Sequence, residues 1–158
     1  MKKGFGLLEI VLAVAIVAGT LYALASVFIL GGRTAELSRE KLQAGFLAEE
    51  GLEVLRFLRD GGWSSNIAAL SIGTDYYLSF NPATSKWSVV LTPPVKIEGV
   101  FERSFRIENV LRDSGDNIAS SGTNDPDTKK ILMKIAWISR NTGQTFTLEA
   151  YLTNLFDN

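Results

Sequence analysis

The pattern of hydrophobic positions divides the chain into an N-terminal helical region and a C-terminal region of strands. Residues 5–30 form a continuous apolar run in which Glu9 is the only charged residue. Residues 33–60 then place an apolar side chain at every third, fourth or seventh position, as an amphipathic helix does; these positions are Leu37, Ala44, Ala48, Leu52, Leu55 and Leu58. Gly31 and Gly32 join the segments, and Gly61 and Gly62 are a C-terminal helix signal. The pattern predicts one helix of about 55 residues, roughly 80 Å long at 1.5 Å per residue.

After Gly62 the apolar positions alternate, which predicts strands. Residues 76–80 and 87–91 alternate across a turn at 81–86, and residues 130–140 and 145–153 form a second hairpin across 141–143. Between the hairpins lies a strand whose expected inner face is Phe101, Phe105, Ile107 and Leu111. These strands predict an antiparallel sheet with one solvated face. Its other face should rest on the amphipathic helix, which gives an α+β fold.

Two segments, residues 63–75 and 113–129, show no period and are predicted as loops. The second is polar, and its side chains include oxygen ligands of the kind that calcium prefers: Asp113, Asp116, Asn117, Asp125 and Asp127. Their spacing matches no calcium-loop pattern. A solvated loop is therefore the favoured interpretation, with calcium binding as the alternative.

The apolar run is long enough to cross a membrane. As a helix, its 26 residues would measure about 39 Å, and a hydrocarbon core is about 30 Å thick. Lys2 and Lys3 precede the run, and nearby positive charges favour the cytoplasmic side. We expect a single-pass protein of the cytoplasmic membrane whose C-terminal domain lies outside.

Two other interpretations of this run stay open. Residues 23–25 (Ala-Leu-Ala) before Ser26 resemble the cleavage site of a secretory signal peptide, although the apolar stretch is longer than usual and contains Glu9. An ordinary membrane anchor that happens to contain one glutamate is the second.

The amino-acid composition excludes several kinds of functional site. The chain has no cysteine and no histidine, so disulfides, zinc sites and catalysis by either side chain are excluded. A net charge of −1 does not indicate a nucleic-acid surface. No phosphate loop, nucleophile elbow or HExxH motif is present, so we expect neither an enzyme nor a cofactor. The tryptophans are predicted to be core or sheet-face residues and not ligand platforms: Trp63, Trp87 and Trp137.

The segment KKGFGLLE, residues 2–9, resembles the class III signal of type IV pilins and pseudopilins: basic residues, glycine, phenylalanine, three residues, glutamate and an apolar run. The resemblance implies cleavage by a prepilin peptidase between Gly4 and Phe5, and N-methylation of Phe5. It also implies that Glu9, buried among packed helices, pairs with the Phe5 amine of a neighbouring subunit or of its own chain. Breaking a buried ion pair costs about 3–5 kcal/mol, so Glu9 would set the register of assembly.

A second stretch strengthens this resemblance. AEEGLE at residues 48–53, followed by Arg56, Arg59, Asp60 and Trp63, is similar to minor pilins and pseudopilins of the PilV and GspI kind; taken alone, it reads as an amphipathic helix with ion pairs such as Arg56–Asp60. The family's mid-helix proline and its C-terminal cysteine pair are absent, since the first proline is Pro82.

The implied organisation is a leader at residues 1–4, a membrane or filament-core helix at 5–32, an amphipathic helix at 33–62 and an exported sheet domain at 63–158. Implied partners are other pilin or pseudopilin subunits, the prepilin peptidase and an inner-membrane assembly platform. The implied product is an extracellular or periplasmic filament. The sequence does not separate a pilus from a type II secretion or DNA-uptake system. The alternative function is a membrane-anchored exported binding domain that does not polymerise.

Overall fold

A computed structural model describes residues 6–156 of the chain. Its contacts divide the chain into two compact units, Met1–Glu40 and Lys41–Asn158. The elements in chain order are α1 (Leu7–Asp60), α2 (Trp63–Asn66), β1 (Tyr76–Asn81), β2 (Lys86–Val90), β3 (Glu102–Arg112), β4 (Ile118–Ala119), β5 (Thr123–Ser139) and β6 (Thr142–Thr153).

The helix α1 has 54 residues and continues through Gly31 and Gly32 without a break. From residue 41 onward one stripe of α1 is buried, and it comprises Ala44, Ala48, Gly51, Leu52, Val54, Leu55 and Leu58. The predicted stripe is therefore confirmed over this part, with Gly51 and Val54 added. The helix ends at Asp60, and Gly62 follows with a φ of 146°, a backbone conformation that favours glycine.

The strands form a single antiparallel sheet in the order β2-β1-β3-β5-β6, and β4 pairs with the end of β3. The inner face of the sheet and the buried stripe of α1 enclose one hydrophobic core. Its fully buried side chains include Leu55, Phe105, Ile107, Ile131, Met133 and Ile135. The predicted α+β fold, a long helix packed on an antiparallel sheet, is confirmed.

Strand β3 departs from simple alternation. Its pairing with β5 shifts between Asn109 and Val110, as at a β-bulge. Across this shift β3 advances by one residue and β5 by four, from Lys129 to Asp125, so the alternation of inward and outward side chains does not continue across it. Val110 is therefore buried, and Leu111, which was predicted on the inner face, is only half-buried.

Two boundaries were also predicted wrongly. Strand β5 starts at Thr123, so the irregular segment predicted at 113–129 is shorter than expected. The second hairpin turns over Arg140 and Asn141, with φ of 49° and 65°, because Ser139 pairs with Thr142. Two positive φ values in a two-residue loop are typical of a type I′ turn, which suits the twist of the flanking strands.

Candidate functional site

The N-terminal part of α1 is an unburied apolar surface. An 18-residue window of this helix reaches a mean hydropathy of 2.4, and none of that window is buried inside the described chain. Most of its large apolar side chains are more than half exposed. A contiguous apolar surface of this kind is typical of a region that a membrane or another protein covers. Its length and composition are compatible with a single-pass membrane anchor.

Glu9 lies in the first turn of α1. The backbone N–H groups of Glu9 and Ile10 donate to the Gly6 carbonyl, at 3.0 and 3.3 Å. A carboxylate in the first turn lies near the positive end of the helix dipole, which stabilises its charge. Gly4 and Phe5, the predicted cleavage and methylation positions, lie outside the described residues.

The hydroxyl groups of the serine and the threonine within this apolar stretch bond to their own helix. Thr20 donates to the Val17 carbonyl at 2.8 Å, and Ser26 donates to the Tyr22 carbonyl at 2.9 Å. Neither group therefore needs water, since a hydroxyl bonded to the preceding helical turn is already satisfied. Glu9 remains the one charged side chain that the stretch carries into an apolar environment.

The AEEGLE stretch is the place where α1 docks on the sheet. The Arg103 side chain, only 6% exposed, reaches from β3 towards the helix. Its Nη1 donates to the Leu47 carbonyl at 3.0 Å and lies 3.4 Å from Glu50 Oε2. Its guanidinium carbon is 5.6 Å from the centre of the Trp87 ring, within range of a cation–π contact. Burial lowers the pKa of Arg103, and the Glu50 carboxylate opposes that change.

Gly51 makes this close approach possible. A Cβ atom built on Gly51 would lie 2.8 Å from Met133 Cε and 2.9 Å from Arg103 Cδ, closer than real side chains approach. The motif thus combines a buried Ala48, an ion-pairing Glu50 and a glycine at the point of contact. Sequence analysis did not single out Arg103. The available signal was a charged residue at an inward position, between Phe101 and Phe105.

The other charged residues of the stretch lie near the helix surface. Arg56 pairs with Glu53, and Arg59 Nε donates to Asp60 Oδ1 at 2.8 Å. Trp63, which closes the motif, is buried in the core.

The two remaining tryptophans lie on the sheet. Trp137 is buried and packs on Phe101, with ring centres 5.7 Å apart, so it and Trp63 are core residues as predicted. Trp87 is half-buried and packs on Phe80 at 5.1 Å. These two rings and Arg103 line an open cavity of about 390 Å³ beside the first hairpin.

The acidic segment is organised by hydrogen bonds and by Arg112. Asp113 Oδ1 accepts from the backbone N–H groups of Gly115 and Asn117, at 2.8 and 3.0 Å, and these bonds lower the pKa of Asp113. Arg112 Nε lies 2.7 Å from Asp125 Oδ2 and 3.5 Å from Asp116 Oδ1. The bond from Arg112 holds the pKa of Asp125 below its usual value.

The guanidinium of Arg112 therefore already lies between Asp116 and Asp125. Asp127, the last residue proposed as a calcium ligand, accepts a 3.4 Å bond from Asn154 Nδ2. Within residues 6–156, no three acidic side chains come close enough together to hold a metal ion.

The structure thus brings together the long helix, the glutamate in its first turn and the docking stretch, in the order that the sequence predicted. These features make up the candidate functional site. No protein-family model, curated protein or solved structure matches the chain.

Proposed function

We propose that the chain is a minor pilin or pseudopilin, a structural subunit of a type IV pilus or a type II secretion-like filament. The observation that carries this proposal is the make-up of α1. One unbroken helix combines an unburied apolar half, a glutamate in its first turn and a C-terminal half docked on a sheet.

Physical chemistry supports this use of the helix. An exposed apolar helix must be covered, first by lipid and then, after extraction, by the helices of neighbouring subunits. A lone carboxylate is costly in either environment unless it is paired. The amine of a mature Phe5 supplies the matching positive charge, and the pair forms only when the helices lie in the correct register.

The proposal also assigns a location and partners. The precursor resides in the cytoplasmic membrane, with Lys2 and Lys3 inside and the sheet domain outside. A prepilin peptidase removes residues 1–4, and an inner-membrane platform transfers the mature chain into a filament of other pilin or pseudopilin subunits.

One observation favours a second candidate, a membrane-anchored exported binding domain that does not polymerise. The cavity beside Trp87 is open, and apolar and aromatic side chains dominate its lining, as in many ligand sites. Such a protein would keep its anchor in the membrane permanently. It would be absent from filaments sheared off the cell.

The decisive experiment is mass spectrometry of the mature N-terminus from isolated membranes. A peptide that begins at N-methylated Phe5 is the expected result. A start at Ser26 would indicate a secreted soluble domain, and an intact Met1 or Lys2 end would indicate a plain anchor. Either of these would overturn the filament proposal. After correct processing, abundance of the chain in the sheared filament fraction separates the subunit from the anchored binding domain.

A further inference from the structure

Strand β6 forms one edge of the sheet, and half of its backbone groups face outward. Within residues 6–156 its only strand partner is β5. A two-residue turn closes on a hydrogen-bonded pair, here Ser139 and Thr142, and such pairs alternate along an antiparallel ladder. Even-numbered residues of β6 therefore bond to β5. The 2.8 Å bond from Asn154 N to the Asp127 carbonyl continues this series.

The odd-numbered residues consequently direct their N–H and C=O groups to the open edge. They are Gly143, Thr145, Thr147, Glu149, Tyr151 and Thr153. An edge of this kind is a template for another strand, because donors and acceptors repeat every two residues.

The sequence of β6 does not protect this edge. Natural edge strands are usually short or carry lysine, proline or a bulge. Residues 142–153 contain no lysine, arginine or proline. Their pairing with β5 runs over twelve residues in one continuous register. The opposite edge, β2, is protected: it has five residues, starts at Lys86 and is followed by Pro93 and Pro94.

We propose that β6 is a docking edge for an extended strand of another protein chain, paired antiparallel to it. The two faces of β6 define the chemistry of that strand. On the inner face, three half-buried side chains call for apolar residues at alternate positions of the partner: Phe146, Leu148 and Ala150. On the solvated face, the Glu149 side chain is 58% exposed and has Lys130 of β5 at 3.0 Å on one side. A lysine or arginine of the partner, opposite Glu149, completes the charge pattern on its other side.

Lys130 is shared with Glu108 at 3.8 Å, so these three side chains keep a net negative charge, which favours a different protein over a second copy of the chain. The β6 strand of a second copy brings another Glu149 and no cation. The docking edge rests on the sheet alone and goes beyond the filament proposal. An N-terminus at Ser26 or Met1 would overturn that proposal and leave this inference untouched.

Cysteine-directed photocrosslinking of the full chain in its native cell envelope tests the inference, because the chain has no cysteine of its own. Single cysteines replace Thr145, Thr147 or Tyr151 on β6. A cysteine at Ser104 is the matched control, since it shares the solvated face but lies on β3 between β1 and β5. Strand addition predicts crosslinks from the three edge positions to one segment of one other protein, in reverse order and with matching spacing. Crosslinks to β6 of a second copy, scattered crosslinks or no excess over Ser104→Cys would overturn the inference.

A backbone variant provides the second test. Thr147→Pro removes one outward N–H and leaves the bonds to β5 in place, whereas Thr147→Val keeps that N–H. We expect at least a tenfold loss of the crosslink from Thr145→Cys with proline and an unchanged yield with valine. Equal yields would contradict strand addition.

If the proline variant does not fold, amide exchange of the unmodified chain decides the question. Residues 145–151 should exchange more slowly in the cell envelope than in the purified chain. Equal exchange in the two preparations would overturn the proposal.

Discussion

At the scale of single residues, two glycines of α1 face the same sheet under different constraints. A Cβ on Gly45 would lie 3.9 Å from Phe146 Cζ, an ordinary contact, whereas at Gly51 it would lie 2.8 Å from Met133 Cε. Gly45→Ala should stabilise the chain by about 0.5–1 kcal/mol through helix propensity. Gly51→Leu should destabilise it by about 2 kcal/mol, because overpacking costs about 1–3 kcal/mol. Urea unfolding of the full chain in detergent checks both values, and equal stabilities would show that α1 does not dock through Gly51.

The Arg103–Glu50 pair should respond asymmetrically to substitution. Glu50→Gln leaves a buried guanidinium without its carboxylate. The loss for a fully buried pair, about 3–5 kcal/mol, is reduced to about 1–2 kcal/mol because Glu50 is half exposed. Arg103→Met keeps most of the packing and returns Glu50 to water, so stability should stay within about 1 kcal/mol of the unmodified chain. The same unfolding measurement applies, and a larger loss from Arg103→Met than from Glu50→Gln would refute this account.

Among the elements, strands β3 and β5 are joined by an ion pair between Arg112 and Asp125, and this pair is sensitive to acid. Because Arg112 lowers the pKa of Asp125 in the folded chain, the link stabilises the fold above the unfolded aspartate pKa of about 3.9. That contribution to stability is lost as the pH falls through the lowered pKa of Asp125 in the folded chain. Asp125→Asn should therefore lower Tm at pH 7 by about 1–3 °C, because solvent weakens a partly exposed pair. It should also flatten the decline of Tm below pH 4.

Melting curves between pH 2 and pH 7 check this prediction. The control is Asp127→Asn, whose carboxylate accepts a long, 3.4 Å bond from the Asn154 side chain. A steeper acid decline in Asp125→Asn than in the unmodified chain would contradict the assigned link.

How far the strands could be predicted depends on whether a local pattern or a neighbouring strand determines them. The alternation of β6 was predictable because its inner and outer residues differ in polarity at every step. The polar start of β5 was not, since Thr123 and Asn124 pair with Arg112 and Leu111 on another part of the chain. The register shift at Val110 could not be predicted from the sequence for the same reason. Both Val110 and Leu111 are apolar, and only the register with β5 decides which one is buried.

For the whole molecule, the place of Glu9 and of the apolar run on α1 was easier to predict from the sequence than the docking contact. An apolar run with one glutamate is a feature of consecutive residues, so its position on α1 follows directly. The contact of Gly51 with Arg103 joins residues about fifty positions apart, and an arginine among inward-facing apolar residues was its only signal. Long-range packing of this kind depends on side-chain volumes across the core and not on a local period.

The last prediction concerns Glu9 and follows from the filament proposal. Glu9→Ala removes the one charge of the apolar run, so membrane insertion should be unimpaired, since burying alanine in lipid costs less than burying a carboxylate. Entry into filaments should fall about tenfold or more, because the Phe5 amine of a packed neighbour would lose its partner in an apolar bundle. Quantitative blotting of membrane and sheared filament fractions measures both effects.

The matched control for Glu9→Ala is Thr20→Ala, which removes a polar group from the same run. The Thr20 hydroxyl bonds only to its own helix, at Val17, so this variant should assemble normally. Normal filament entry of Glu9→Ala would show that the carboxylate does not set the register of the helices. A similar loss for both variants would trace the defect to altered helix packing, and the charge pair would then have no part in assembly.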